Sequence, residues 1–328
     1  MGDRIVVAKR MAGIGDMLLQ AMHVLWYARL SGRNAYFDWR CSLYSGPNNG
    51  ANLFPRLFEQ PGIDNAEGKL ERCRDFWPAR WNRGNIHGSS VSLNGPGSPL
   101  GALDGEPAFL FDFLCDGRDR TESCVVVTRY CHFLPGMVCH RLAQEFNPVK
   151  RIRDAVAARR SACAAAGPLI GVHFRDFHAL CPAGGRAEKL ALYRSALESI
   201  VSQHSSASVA IFSDNPEAAA ELAQGFESRL VKLSSPDATP QSFHRYSMGL
   251  DATHPDLLAE AERVIEEIWL LASCDVLLGS NASAFYLFAA YKSAAFPTGR
   301  CITLDTKALD REAKLPFEER IALAVNAR

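Results

Sequence analysis

The chain has 328 residues, 48% of them hydrophobic and 22% charged, with Lys+Arg and Asp+Glu balanced at 36 each. That length allows two domains of ordinary size, and the composition is that of a soluble globular protein. The balance argues against a nucleic-acid binder built on bulk basicity, so any anion site must come from a local cluster of charge.

The run Ile5–Ala8 is too short for a signal-peptide core and is closed by Lys9 and Arg10. No stretch approaches the ~18 apolar residues of a membrane span. The ten cysteines are scattered, with no C-x-x-C pair. A cytoplasmic protein with reduced thiols is expected, with no transmembrane segment and no nucleic-acid partner.

In chain order, Ile5–Ala8 reads as a first strand. Gly13-Ile14-Gly15-Asp16 turns into a helix carrying Leu18, Met22, Leu25 and Trp26, and Gly32 stops it. Asn34–Arg40 is a second strand ending in charge, which completes a βαβ unit. Gly13 and Gly15 would let a ligand approach the backbone. On the glycines alone a tight turn is the better reading, because Leu18 stands where a dinucleotide fingerprint needs its third glycine. An NAD-dependent oxidoreductase is disfavoured for the same reason.

Residues 41–120 are rich in Pro, Gly and Asn and read as loops and short insertions. Within them, Phe76-Trp77-Pro78-Ala79-Arg80-Trp81-Asn82-Arg83 interleaves aromatics with arginines. Such a surface suits sugars, since rings stack on sugar faces and Arg donates in pairs. A loop anchored by its tryptophans fits equally. Cys131-His132 and Cys139-His140 match no zinc spacing. Val125–Val127 is a strand, and residues 148–165 form an Arg- and Ala-rich helix.

The second half alternates more cleanly. An apolar strand runs from Pro168 into Arg175-Asp176-Phe177-His178, the pattern of a buried parallel strand opening into a ligand crevice. His173 lies two residues before Arg175, on the same face. A helix over 187–203 follows, then the strand Ser208–Phe212 ending at Asp214, with Asn215 as cap and Pro216 at the first helical position. Leu230–Leu233 is expected as a short strand. Then come a loop over 234–254 carrying His244 and Arg245, a long helix over 255–273, a strand over 275–279, a helix over 284–291, a strand over 301–304 and a helix over 317–325.

In the long helix, Val264, Ile268 and Leu271 mark the buried stripe, with Glu262 and Glu266 towards solvent. Glu267 falls on the apolar side and needs a partner, either the hydroxyls or base of a nucleotide or a nearby Arg. Alternating strands and helices imply parallel, doubly wound sheets. Two such units joined near residue 165, 1–165 and 166–328, make an α/β protein of two Rossmann-like domains facing a central cleft. Many nucleotide-sugar glycosyltransferases are built this way, an argument by analogy.

Glycosyl transfer from a nucleoside diphosphate sugar must neutralise a departing pyrophosphate. A metal held by Asp-x-Asp is one means, and no Asp-x-Asp occurs here. Arginine is another, because its planar fork binds phosphate and keeps its charge. Arg175 at a strand's carboxyl end is placed for this. A plain surface arginine is the competing reading, made less attractive by the crowding of His173 and His178. Ser280–Ser283 opens a helix and supplies a second anion-binding element, which can also serve as an ordinary cap.

These motifs, in order, resemble the bacterial nodulation-factor α-1,6-fucosyltransferases and, more distantly, the eukaryotic core and protein O-fucosyltransferases. The likeness rests on Gly15-Asp16, Gly32-Arg33 leading to Asp38-Trp39-Arg40, Arg80-Trp81-Asn82-Arg83, Ile170–Arg175, Phe212-Ser213-Asp214, Glu267 and Ser283-Ala284-Phe285. The resemblance implies a GT-B fold and a metal-independent, inverting transfer of fucose from GDP-fucose to an oligosaccharide containing N-acetylglucosamine. It implies donor contacts from His173, Arg175, Asp214, Glu267 and Ser283, with Gly13 and Gly15, and no cofactor. Arg80, Trp81, Arg83 and Asp38 would serve the acceptor. The sequence departs from the family after Arg175: Asp176 replaces the usual Arg or His, and Ala179 and Ala183 stand where eukaryotic members carry Lys and Glu. The general base is therefore open between Asp176 and His178, with Glu188 further away; transfer from another GDP-sugar, and nucleotide binding without catalysis, to which Ala179 and Ala183 point, stay open beside this reading.

Overall fold

The computed structural model describes residues 4–10, 12–40, 42, 44–45, 51–59, 66–86, 106–128, 133–163, 167–176, 186–233 and 256–306. The chain divides into two compact units, Met1–Lys150 and Arg151–Arg328. Among the described residues, no helix is long and apolar enough to cross a membrane.

The first unit opens with β1 (Ile5–Lys9), α1 (Ile14–Ser31) and β2 (Asn34–Asp38). Strand β1 is buried along its whole length. It lies between β2 and β5, so its run of Ile, Val and Ala has no polar alternation. Gly32 ends α1 in the left-handed region, φ 68°, with its N–H donating to the Ala28 carbonyl. A residue with a Cβ would be strained there.

The irregular stretch condenses into short elements: α2 (Phe54–Leu57), β3 (Phe58–Glu59), α3 (Ala66–Leu70), β4 (Phe76–Trp77) and α4 (Arg83–Ile86). Then come α5 (Glu106–Asp116), β5 (Cys124–Val127), α6 (Gly136–Ala143) and β6 (Asn147–Pro148). The sheet runs β2-β1-β5-β4, all parallel, while β3 and β6 form a separate antiparallel pair. The two residues of β4 are held by pairing with Cys124 and Val125; two residues display no period, so the sequence gives no sign of them.

The second unit contains α7 (Lys150–Ala162), β7 (Leu169–Phe174), α8 (Arg186–Gln203), β8 (Ser208–Ser213) and α9 (Pro216–Ala223). It continues with α10 (Leu257–Ala272), β9 (Val276–Ser280), α11 (Ala284–Lys292) and β10 (Cys301–Leu304). Helix α7 starts at the boundary between the units and pairs with the second: Arg151 with Glu262 at 2.5 Å and Arg159 with Glu266 at 3.1 Å. Glu262 and Glu266 therefore meet a basic helix rather than open solvent. The buried stripe of α10 is Ala261, Ile265, Ile268 and Leu271, turned from the expected one, and Val264 is half-buried. The expected strand over 230–233 reduces to one bridge, Val209 to Leu230. Leu230 and Lys232 are exposed, and so little burial supports no longer ladder.

The sheet order is β10-β9-β7-β8, again all parallel. Two glycines bring helices hard against it. A Cβ at Gly171 of β7 would meet Cys274 Sγ and Leu271 Cδ1 at 2.7 Å, and one at Gly279 of β9 would come within 2.1 Å of the Tyr286 ring. The core beneath α8 and α9 is formed by Ile170, Val172, Phe174, Tyr193, Leu197 and Leu222, with their buried neighbours. The loop expected over 234–254 and the helix expected over 317–325 lie outside the described residues.

Candidate functional site

The chain passes from β7 to β8 on one side and then returns to place β9 on the other side of β7. The strand order thus reverses between β7 and β9, and open parallel sheets hold ligands beyond the carboxyl ends of strands at such a point. The ladder with β8 runs to Phe174↔Ser213, whereas that with β9 runs only to Val172↔Leu278. The two strands part as they reach their carboxyl ends, and His173 and Arg175 stand at that fork.

His173 is buried, and its ring stacks on Phe285 in the first turn of α11, centroids 4.6 Å apart at 16°. This contact spans the switch point. Burial, with the positive charges of Arg175 and Lys189, holds its imidazole down to about 3, so the ring is neutral at physiological pH. Its Nδ1 has no hydrogen-bond partner among the described residues. Ser283 caps α11, its hydroxyl accepting from Tyr286 N–H at 3.4 Å. Ser280 Oγ bonds Thr306 Oγ1 and accepts from Ala282 N–H at 3.0 Å, which fixes the turn between β9 and α11. The start of α11 offers N–H groups and the positive end of a helix dipole.

Arg175 ion-pairs with Asp214 at 2.8 Å, at the end of β8. Burial pushes the Asp214 carboxyl up, against the pull of Arg175. Asp214 also accepts from Asp176 N–H at 2.8 Å. The Asp176 side chain is fully buried; it accepts from Asn215 Nδ2 at 2.8 Å and lies 3.7 Å from Arg186 Nε. Asn215 in turn caps α9 by accepting from Glu217 N–H at 3.0 Å. From α8, Lys189 Nζ donates to the Arg175 carbonyl at 2.6 Å and Tyr193 Oη donates to the His173 carbonyl at 3.0 Å.

Several other expected site residues are held by partners of their own. Glu267 is mostly buried and pairs with Arg263 of its own helix at 2.7 Å. Burial raises its carboxyl, and Arg263 pulls the other way. In the first unit, Gly13 precedes α1 with φ −62°, and Gly15 lies buried within the helix. Asp38 has no exposed side-chain surface and pairs with Lys9 at 3.0 Å and Arg40 at 3.6 Å. Trp81 is packed into the core with Ile5, Val7 and Tyr36. Arg83 is exposed and donates to the Cys73 carbonyl at 2.8 Å, and Arg80 is half-buried. His178 lies outside the described residues. Among those described, no group of three or more His, Cys, Asp or Glu is placed to hold a metal ion.

No family model matches the sequence, and no curated protein matches it. Solved structures do. A NodZ α-1,6-fucosyltransferase soaked with GDP-fucose superposes with a TM-score of 0.63 at 19% identity, covering 89% of this chain and 93% of that one. The fold is that of NodZ. Fucosyltransferase NodZ from Bradyrhizobium gives 0.62 at 20% identity, over 88% of this chain and 93% of that one. A mutant of Arabidopsis thaliana FUT1 in complex with GDP gives 0.55 at 14% identity, over 88% of this chain and 68% of that one.

The NodZ likeness extends over 89% of the chain and agrees with the resemblance carried by the motifs. The structure brings His173, Arg175, Asp214 and the Ser283 turn of the NodZ-like second unit together. Sequence reasoning missed Lys189, Tyr193, Asn215 and Arg186 as parts of the same cluster. For Lys189 a signal was present: it precedes Leu190 and stands four residues before Tyr193, beside the apolar face of α8.

Proposed function

We propose that the chain is a fucosyltransferase that moves fucose from GDP-fucose to an N-acetylglucosamine-containing oligosaccharide, by inverting, metal-independent transfer in a GT-B architecture. The observation that carries this reading is Arg175 at the fork of β7 and β9, held by Asp214, while His173 two residues earlier stacks on Phe285 in the first turn of α11. Its guanidinium stays charged and can bind phosphate oxygens as the departing GDP gains negative charge. The first turn of α11 adds the dipole of its backbone amides. His173 enters as a neutral hydrogen-bonding group. The fold likeness to a protein soaked with GDP-fucose supports the choice of donor.

Donor binding is assigned to the second unit, with Glu267 acting beside Arg263. Acceptor binding is assigned to the first unit, with Arg80 and Arg83 at its surface and Trp81 and Asp38 supporting them from within. The Asp176 carboxylate is buried against Asn215 and Arg186, so the proposed base is His178, whose ordinary pKa near 6.5 suits proton removal at neutral pH. A cytoplasmic site of action is part of the proposal.

Calorimetry with GDP, GDP-fucose, GDP-mannose, UDP and NAD, each with and without EDTA, tests it. Binding of GDP and GDP-fucose that survives EDTA is expected. Binding of NAD but not GDP overturns the reading. GDP binding without turnover would instead support a nucleotide-binding protein without catalysis, a reading favoured by the burial of Asp176.

A further inference from the structure

The carbonyl of His173, near the end of β7, and that of Arg175, just past it, both lie beyond the end of the ladder with β9. A strand carbonyl left without its ladder partner must find another donor or lose free energy on burial. Here the donors are side chains. Tyr193 Oη reaches the His173 carbonyl at 3.0 Å, and Lys189 Nζ reaches the Arg175 carbonyl at 2.6 Å. The spacings match: residues four apart on a helix are about 6 Å apart along its axis, and residues two apart on a strand about 6.6 Å. One turn of α8 thus grips two alternate carbonyls at the carboxyl end of β7 and just past it. Both side chains are buried, and the Lys189 stem leads its ammonium over the Phe174 ring, 5.6 Å from the centroid.

A Lys is costly to bury, and its stem alone could be replaced by an apolar side chain. What Lys189 adds is a charged hydrogen bond at the residue whose side chain meets the anion. We propose that Lys189 and Tyr193 are positioning residues for the donor site, setting the backbone of Arg175 and His173 so that the guanidinium and imidazole point into the fork. This rests on the nucleotide-sugar reading above and adds to it two residues that touch no substrate. Lys189 acts through Arg175, and Tyr193 through His173.

The inference is tested with Lys189→Met, Tyr193→Phe and Arg175→Ala, alone and as the Lys189→Met/Arg175→Ala double variant. Ile200→Ala, a core truncation lower on α8, serves as the structural control. Each protein is measured by GDP calorimetry, by kcat and KM for GDP-fucose, and by thermal unfolding. Lys189→Met is expected to weaken GDP binding at least about tenfold, the scale of one charged hydrogen bond. Tyr193→Phe should weaken it about threefold. Ile200→Ala should lower the melting temperature and leave GDP affinity unchanged. In the Arg175→Ala background, Lys189→Met should cost less than about twofold further, because the group it positions is gone.

Equal costs of Lys189→Met with and without Arg175, or GDP binding unchanged in the folded single variants, overturns the inference and leaves the nucleotide reading standing. If Lys189→Met does not fold, Tyr193→Phe, which removes one oxygen, decides by the same affinity measurement. A wild-type protein that binds no GDP overturns the nucleotide reading and this inference with it.

Discussion

Replacing Asp38 by Asn removes one charge and almost no volume. In the folded protein Asp38 and Lys9 are both wholly enclosed, 3.0 Å apart, at the carboxyl ends of adjacent strands. The Asn variant leaves the Lys9 ammonium facing a neutral amide inside the sheet. Removing one partner of a buried pair costs about 3–5 kcal/mol, because the remaining charge loses its compensation. Asp38 also accepts from Arg40 N–H at 3.1 Å, and an Asn carbonyl can keep that bond, so the lower half of the range is expected. At about 2–4 °C per kcal/mol for a domain of this size, the first unit should melt about 6–16 °C earlier. Thermal and urea unfolding followed by circular dichroism measure it. The double variant Lys9→Met/Asp38→Asn should recover most of the loss, since the Lys9 charge goes with its partner's and Arg40 keeps its bond to Tyr36 Oη at 2.6 Å. A loss below about 1 kcal/mol, or a double variant no better than the single one, would refute the claim that the pair is enclosed. A raised acceptor KM at unchanged stability would put Asp38 at the acceptor surface instead.

Arg175→Ala should lower kcat at least about a hundredfold, the scale of one preorganised donor to a developing anion; unchanged turnover in a folded variant would remove Arg175 from the mechanism. His173 carries a pH signature. Its pKa is near 6.5 when unfolded and about 3 when folded, so the unfolded chain binds the extra proton between those values. Stability should therefore fall as pH drops below 6.5, by about 2 kcal/mol from this residue between pH 7 and 5. His173→Gln should lose that much less over the same interval, and parallel curves would contradict a buried neutral imidazole. Ser283→Ala should cost about 1 kcal/mol as a lost helix cap; a much larger loss of GDP affinity than of stability would add an anion-binding role to the capping one. His178→Ala should remove the acid limb of the pH–rate profile, and an unaltered profile would dismiss it as the base.

The strands and long helices were legible because burial imposes their periods: the apolar runs of β1, β7 and β9 and the faces of α1 and α8 follow from being enclosed on one side or two. Gly32, Asn215 and Pro216 were legible because each answers a local backbone need. What escaped was set by distant partners. Phe76 and Trp77 become a strand only because Cys124 and Val125 lie alongside, and Glu262 and Glu266 face inward only because α7 brings arginines to them. Arg175 could be picked out by its place at the end of an apolar run. Lys189 and Tyr193 could not be assigned, since the carbonyls they hold are fourteen and twenty positions away. Trp81 had two readings in sequence, and its burial in the core is that of an anchored loop.

The missing side chain at Gly279 has a consequence for how such a site can diverge. Tyr286 occupies the space a methyl group would need, so even alanine there would lift α11 off the sheet and carry the Ser283 turn with it. The height of the helix start above the strand ends is therefore a fixed dimension. On the proposed donor reading, a variant taking a different ligand would change what projects from that platform, at Phe285 or His173, while its level stays where the bare strand sets it.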